Sequence, residues 1–276
     1  MGIFPGKAQK GVHIRFILNI AGSDSCGGAG THADIKTIGG LGCHAVTAIT
    51  AVTAQNSQGV FAIHEVPEGF IALQIETIVK DLSPDAMKIG MLPSSLAIRE
   101  VAEAIKKTGI KKIVLDPVIK ATAGGNFLED SSIPVMKEIL FPLIRVITPN
   151  MDEAAVLAGT SVGNVKEMEE AAKKLKKLGP DVIITGGHLQ ESCIDLLYDG
   201  KNMHHFQDSR MDTPNTHGSG CVFSASVATF LALDYSVAES ARFAHIYTRR
   251  AIERGYPLGH GPGPVNPGPL EEIGGL

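Results

Sequence analysis

The chain has 276 residues, 44% of them apolar and 20% charged, with a formal net charge of -4 at pH 7. That balance leaves ample material for a core and gives no electrostatic reason to expect nucleic acid or an anionic membrane as partner. Tryptophan is absent and aromatic residues make up only 5%, which further weakens a base-stacking reading.

Cys26, Cys43, Cys193 and Cys221 show neither a C-x-x-C pair nor zinc-ligand spacing, so reduced thiols are expected. The start "MGIFPGKAQKGVHIR" lacks the apolar centre of a signal peptide, and no apolar run is long enough to span a bilayer. A cytoplasmic protein is the expectation.

Short apolar runs rich in β-branched residues alternate with amphipathic stretches along the chain. The run "FILNIA" (16–21) predicts a buried strand, followed by a glycine-rich turn and a helix over 29–41. "HAVTAITAVTA" (44–54) predicts a second strand with room for a helical element in its later part, and "VFAIHEV" (60–66) an edge strand. Pro67 suits the first turn of a helix over 68–81. Then come a strand at 86–90, a helix over 94–107, a strand at 111–116, a helix near 131–140 and a strand at 145–148. A short helix follows over 152–158.

Asn164 with Glu167 resembles a capping box, opening a helix that stops at Gly179-Pro180. "DVIITGG" (181–187) predicts a strand ending in glycines, and "CIDLLYD" with "NMHHFQ" a hairpin around Gly200. An apolar-periodic helix opens at 218–221, and Ser236 with Glu239 forms a further capping box for a helix reaching about Arg254. Strands separated by helices imply an α/β fold with a mostly parallel sheet covered on both faces. No repeat or linker divides the chain. One domain over 16–268 is expected, between tails at 1–15 and 269–276.

In such sheets a ligand lies beyond the carboxyl ends of the strands. Two glycine-rich turns compete for a phosphate. "AGSDSCGGAG" (21–30) fails the G-x-G-x-x-G spacing, and no G-x-x-x-x-G-K-[ST] occurs anywhere. In "NTHGSGC" (215–221), Gly218, Ser219, Gly220 and Cys221 can aim successive N–H groups at one oxygen cluster, with the helix dipole adding to the attraction. A plain helix cap would need the same residues.

Taken together, "DTPNTHGSGC", "AGSDSCGGAGTHADIKT", "AVTAQNSQGV", "KIGML", "DPV", "TPNMDEA" and "GHGPGPVNP" resemble the phosphomethylpyrimidine kinases of thiamine biosynthesis, in the ribokinase-like superfamily. The resemblance runs from about Ile17 to Pro267, with the motifs in the family's order. It implies a three-layer α/β/α fold with a small β-rich edge or lid. It also implies ATP-dependent phosphorylation of 4-amino-5-hydroxymethyl-2-methylpyrimidine to the monophosphate and then to the diphosphate.

Carried onto this chain, the resemblance makes residues 218–221 the catalytic cradle, with Cys221 where sugar kinases of the superfamily place an aspartate base. A thiol at a helix N-terminus is expected to have a lowered pKa and to serve as a weaker base. The preferred further reason for a cysteine is that a largely neutral thiol tolerates both acceptors, where a fixed carboxylate would repel the monophosphate. Gln55 matches the pyrimidine-binding glutamine, whose amide offers an acceptor and donors side by side to an aminopyrimidine edge; as plain structure it is a loop glutamine. Gly22, Met91 and Val118 are expected walls for the ring. Asp34 is a further substrate candidate that also suits a solvent-facing helix position, and Asp24 a residue that can cap its turn.

Asp116 and Glu153 are hard oxygen ligands for Mg2+ beyond strand ends; structurally they are a turn residue before proline and a favourable first-turn helix charge. Asn150, Thr185, Gly187, Thr213 and Thr216 are the expected ATP contacts, the threonines serving equally as caps, and Lys120 a residue that can screen phosphate charge. The family pattern is broken by Ser25-Cys26, where Pro-Ser is usual, and by His32, where glutamine is common. A homo-oligomer, a dimer, is the expected assembly. A pyridoxine or pyridoxal kinase of the same superfamily and a non-catalytic pyrimidine-sensing module are the rival readings, with a redox thiol protein third.

Overall fold

The computed structural model describes residues 14–119, 127–187, 189 and 192–269. Nine strands form one sheet in the order β3-β2-β1-β4-β5-β6-β7-β8-β9. They are β1 (Phe16–Ser23), β2 (His44–Asn56), β3 (Gly59–Glu65), β4 (Ala86–Ile89), β5 (Ile113–Leu115), β6 (Val146–Ile147), β7 (Asp181–Ile184), β8 (Ser192–Tyr198) and β9 (Met203–Ser209). Strands β1, β2, β4, β5, β6 and β7 run parallel, while β3 at one edge and the β8–β9 hairpin at the other are antiparallel.

Chain order reverses between β1 and β4, so the crevice expected at a topological switch point opens above these two strands. β1 and β4 to β7 have almost entirely buried residues on both faces, as strands covered by helices must.

The helices are α1 (Gly30–Gly40), α2 (Phe70–Asp81), α3 (Ser95–Lys106), α4 (Ser132–Val135), α5 (Met151–Ala158), α6 (Val165–Lys176), α7 (Ser219–Ala232) and α8 (Val237–Glu253). Apolar side chains of α2 to α6 pack with one face of the sheet, and those of α1, α7 and α8 with the other, which gives three layers. α7 lies against the sheet and under α1 and α8, with every residue from Val222 to Ala232 buried.

Several local expectations need correction. β2 is strand throughout, to Asn56, because its later half pairs with β3. α2 starts at Phe70, since Gly69 takes a left-handed φ of 81° and delays the helix past Pro67. The helix expected near 131–140 is one α turn, then a π-helical turn over Met136–Leu140 and a 3-10 turn over Phe141–Leu143; Pro134 and Pro142 remove donors there. Asn164 caps α6 by accepting from the Glu167 N–H, while the Glu167 carboxylate accepts from Gly163, so only half of that capping box forms. Ser236 and Glu239 form theirs completely.

Candidate active site

A cavity of about 690 Å³ lies above the switch point. It is lined from the ends of β1 (Gly22), β2 (Gln55), β4 (Met91), β5 (Asp116, Val118), β6 (Asn150) and β7 (Thr185, Gly187), and from the start of α7. Of the sequence-predicted site residues, all but Asp34 line it. Lys120 lies outside the described residues.

The two glycine-rich turns meet here, and the structure separates them. In the first, the Asp24 carboxylate accepts from the N–H groups of Cys26 (2.8 Å), Gly28 (3.1 Å) and Ala29 (2.8 Å), and from His217 Nε2 at 2.9 Å. Its anion position is filled by the protein's own side chain. Burial pushes Asp24 up, but His217 and the turn amides outweigh it and hold the carboxyl below its usual range.

The second turn is open. Gly218 begins α7 with a φ of 83°, and no side chain caps the helix. The Ser219 N–H is already given to the Thr216 carbonyl at 3.2 Å, so the cradle is narrower than the expected four-residue one. Among the described residues, the N–H groups of Gly220 and Cys221 have no acceptor within the chain. A helix start with free donors facing a cavity attracts an anion. A Cβ on Gly218 would overlap the Gly28 carbonyl oxygen, so close approach of the turns requires glycine at 218.

The Cys221 thiol departs from the lowered pKa expected at a helix start and agrees with the largely neutral thiol. Burial pushes it up to about 12, Lys88 pulls it back only in part, and Asp34 and Asp116 add to the rise. Desolvation here exceeds the helix-terminus effect, so Cys221 is a neutral thiol at pH 7 rather than a thiolate.

Beneath it lies a buried row of charges. Lys88 Nζ, with no exposed surface, sits 2.9 Å from Asp34 Oδ2 and 3.9 Å from Asp116 Oδ2. Asp34 is on the inner face of α1 with Thr31, Thr37 and Ile38, which turns it toward β4 and away from the cavity. It is therefore a counter-ion to Lys88 rather than a ring contact or a solvent-facing residue. Burial pushes Asp34 up to about 6 against the pull of Lys88. For Lys88 itself, burial lowers the pKa, but the anions Asp34 and Asp116 raise it further, so it stays charged.

Asp116 accepts from Ser224 Oγ at 3.0 Å and points into the cavity with Glu153. Glu153 completes a capping box on α5, accepting from the Asn150 N–H at 2.9 Å while Asn150 Oδ1 accepts from the Glu153 N–H at 2.9 Å. Its other oxygen takes the Ile119 N–H at 3.3 Å. The first-turn structural role is thus real, and cavity exposure adds to it. Burial, then the charge of Asp116, pushes Glu153 up to about 8. Among the described residues no three or more potential ligands cluster as a metal site.

At the other end, Gln55 stands at the end of β2, in a strand rather than a loop. Its Oε1 accepts from Thr53 Oγ1 at 3.3 Å, and Ser25 Oγ bridges its backbone N–H and carbonyl at 2.8 Å each. Gly22 and Met91 are neighbouring walls: a Cβ on Gly22 would come within 2.6 Å of Met91 Cε. Cys26 is half-buried and lies off the cavity lining.

Sequence reasoning missed Lys88, His217, Asp195 and His245. Only Lys88 carried a signal, a charge interrupting the apolar strand "AMKIG". His217 stands in the quoted turn "NTHGSGC", where nothing foretells its pairing with Asp24, and Asp195 and His245 are brought to the site by tertiary pairing alone.

The sequence profile of the phosphomethylpyrimidine kinase family matches residues 24–266. The chain is 41% identical over 264 residues to a hydroxymethylpyrimidine/phosphomethylpyrimidine kinase of Mycobacterium tuberculosis, covering 94% of this chain and 96% of that protein. It is also 41% identical over 252 residues to a thiamine biosynthesis bifunctional protein of Geobacter sulfurreducens, covering 91% of this chain but spanning about half (51%) of that longer one. Among solved structures, a pyridoxal kinase of Bacillus subtilis in complex with ADP superposes with a TM-score of 0.87 at 38% identity, covering 94% and 99% of the two chains. A phosphomethylpyrimidine kinase of Clostridium difficile superposes with a TM-score of 0.77 at 36% identity, covering 86% and 99%. The profile match over most of the chain and the 41% identity to a relative covered almost end to end agree with an amide cradle and two carboxylates lining one cavity, and the chain belongs to the phosphomethylpyrimidine kinase family.

Proposed function

We propose that the protein transfers the terminal phosphoryl group of ATP first to the hydroxyl of 4-amino-5-hydroxymethyl-2-methylpyrimidine and then to the resulting monophosphate. The observation that carries this reading is the open N–H pair of Gly220 and Cys221. It faces the same cavity that Gln55, Asp116 and Glu153 line.

In this reading Gln55 pairs with the aminopyrimidine edge, between Gly22, Met91 and Val118. Thr185, Gly187, Thr213, Thr216 and Asn150 hold the nucleotide. A cation fits the donor set: both carboxylates are hard oxygen ligands whose protonation burial favours, the charge of Asp116 adds to this at Glu153, and Lys88 offsets it only in part at Asp116. Asp116 and Glu153 would hold Mg2+, with remaining ligands from water and phosphate; when bound, it supplies charge stabilisation to phosphate oxygens.

The cradle amides stabilise charge on the migrating group, and the strand ends hold acceptor and donor in line. Phosphoryl transfer asks mostly for such positioning and charge stabilisation. A neutral Cys221 is compatible with both acceptors. The second is a phosphate monoester, mostly dianionic at neutral pH because its second pKa is about 6, and a fixed carboxylate at 221 would repel it.

Residues 16–268 act as one catalytic unit, a cytoplasmic homodimer in this proposal; among the described residues no helix is long and apolar enough to cross a membrane. The test is incubation with Mg-ATP and the hydroxymethylpyrimidine, with mono- and diphosphate products followed by mass and pyridoxal as the control acceptor. Absence of the diphosphate, or turnover of pyridoxal in preference to the pyrimidine, overturns the proposal.

A further inference from the structure

Where β8, β9 and α8 line the same cavity lies a polar cluster that the mechanism above does not use. His245 of α8 is only 7% exposed and sits between two carboxylates. Its Nδ1 is 2.7 Å from Asp195 Oδ2 on β8, and its Nε2 is 3.0 Å from Asp208 Oδ2 on β9. The other Asp195 oxygen accepts the Gly186 N–H at 3.0 Å. Gly186 is packed so tightly on β8 that a Cβ there would overlap the Ile194 carbonyl oxygen. A continuous chain of contacts therefore runs from β9 through His245 and Asp195 to the backbone between Thr185 and Gly187.

The geometry dictates the protonation state. A neutral imidazole has one donor and one acceptor nitrogen, so one of its two ring nitrogens would set a lone pair against a carboxylate lone pair. Both contacts are satisfied only when both nitrogens carry protons. Charge in the surroundings agrees. Asp195 and Asp208 face the ring from the hairpin. Arg249 of α8 approaches Asp208 at 3.8 Å and Glu253 at 3.2 Å, and Arg210 lies beyond β9 with its guanidinium on the Leu189 carbonyl. Cys193 of β8 is a neutral thiol, pushed up to about 12 by burial and then by Asp195. α7 offers no titratable side chain between Val222 and Ala232.

We infer that His245 is a positioning residue for the nucleotide: clamped as an imidazolium between Asp195 and Asp208, it fixes Asp195, and through the Gly186 N–H it holds the Thr185–Gly187 turn in the shape that receives ATP. This rests on the nucleotide placement proposed above. Burial lowers the His245 pKa, but its two carboxylate partners more than offset that and raise it. The clamp is therefore fully formed below the ordinary histidine range and weakens as pH rises through the raised value. A neutral ring can still donate one hydrogen bond, but without charge assistance that bond is roughly half as strong.

The experiment is calorimetric binding of the non-hydrolysable β,γ-methylene analogue of ATP, with saturating magnesium, to wild type and His245→Gln between pH 6.5 and 9.5. Glu153 and the analogue's own phosphates titrate in this window too, but equally for both proteins, so the ratio of the two Kd values isolates His245. The expected ratio is about tenfold at pH 6.5, falling toward two- or threefold at pH 9.5. At saturating ATP, kcat and the KM for the pyrimidine stay near wild type. Histidine 15N spectra of the nucleotide-free protein should show one imidazole protonated on both nitrogens at pH 7 that disappears in the variant. A Kd ratio that is constant with pH, or a pyrimidine KM raised as much as the nucleotide Kd, overturns the inference.

Asp208→Asn removes the partly exposed partner and guards against a misfolded His245 variant. It should move the rise in Kd about one unit lower in pH, and an unmoved rise counts against the clamp. Gly187→Val separates this inference from the nucleotide placement, because a Cβ at 187 meets nothing within 4 Å among the described residues. If that variant binds the analogue as wild type does, the placement itself fails. If it binds weakly while the His245→Gln ratio ignores pH, only the clamp fails.

Discussion

Replacing Lys88 with methionine tests the buried charge row under the cradle. The change keeps most of the side-chain volume and removes the ammonium, leaving Asp34 with no exposed surface and no cation, and Asp116 without its nearest positive charge. Breaking a buried pair by removing one partner costs about 3–5 kcal/mol, whereas replacing both partners with apolar groups is often near neutral. Lys88→Met should therefore lower the melting temperature by roughly 10 °C, and Asp34→Leu added to it should restore most of the loss.

The pH dependence has a definite sign. Asp34 already has a folded pKa raised to about 6 from an ordinary 3.8, so its folded form holds a proton more tightly than the unfolded chain. That gives a penalty which grows as pH rises between those values. Without Lys88 the folded pKa rises further, so the deficit of the variant should be largest near pH 8 and shrink toward pH 5. Thermal melts of wild type, both single variants and the double variant at several pH values make the measurement. A Lys88→Met deficit under about 1 kcal/mol, no recovery in the double variant, or a deficit that grows on acidification refutes the reasoning.

Gly218→Ala should be costly twice over: a left-handed φ of 83° strains any Cβ by about 1–2 kcal/mol, and the overlap with Gly28 pushes the two turns apart. Turnover should fall by more than the melting point indicates, and wild-type activity would contradict the cradle. Gln55→Ala, at a half-exposed strand end, should leave stability unchanged and raise the pyrimidine KM about tenfold or more by leaving a ring edge unpaired; an unchanged KM removes Gln55 from the site. Cys221→Asp places a carboxylate near the acceptor, where a unit charge about 4 Å away is worth on the order of 4 kcal/mol at intermediate dielectric. Monophosphate turnover should then drop roughly 100- to 1,000-fold more than alcohol turnover, and equal losses dispose of the repulsion argument. Asp24 has a depressed pKa, so its stabilisation is present above the unfolded value and is lost only as pH falls through the lower folded one. Asp24→Asn should lose stability at neutral pH, with the deficit shrinking as pH falls through the folded value, which flattens the acid limb of the stability profile; an unaltered limb would locate that acid sensitivity elsewhere.

What was legible in the sequence depended on whether the signal was local. α3 alternates a buried set (Ala97, Ile98, Val101, Ala102, Ile105) with polar residues, and β7 is an apolar run closed by glycines, so both can be read from periodicity. α7 is announced by its glycine turn and by the apolar stretch that follows it, but neither shows that the helix is buried on every side from Val222 to Ala232. Asp34 and Lys88 lie 54 residues apart, and Asp195 with His245 50 apart, separations at which no spacing rule operates. The Cys221 thiol illustrates the same limit in energetic form. Its position at a helix start is visible in the sequence and argues for a lowered pKa. The burial that reverses the sign, and the charges of Asp34 and Asp116 that add to it, are assembled only by the fold.

The two glycine-rich turns share composition and both precede a helix, yet they end with opposite electrostatics, and a single side chain accounts for the difference. Asp24 stands inside its own turn and saturates three backbone donors with a carboxylate, so an incoming phosphate would meet a negative charge there. At 215–221 the nearest acidic residue in sequence is Asp212, and the residue that could have filled the cradle is a neutral cysteine. His217 joins the two, because its backbone belongs to the open turn while its ring holds the filled one at 2.9 Å. The filled turn thus serves as a rigid wall for the open one. Its internal carboxylate keeps the Gly28 carbonyl and the Ala29 backbone against Gly218 without competing for the ligand. An anion cradle built this way needs no lysine of the kind found in G-x-x-x-x-G-K-[ST] loops. Its donors are backbone amides, and its charge balance is left to whatever cation accompanies the phosphate.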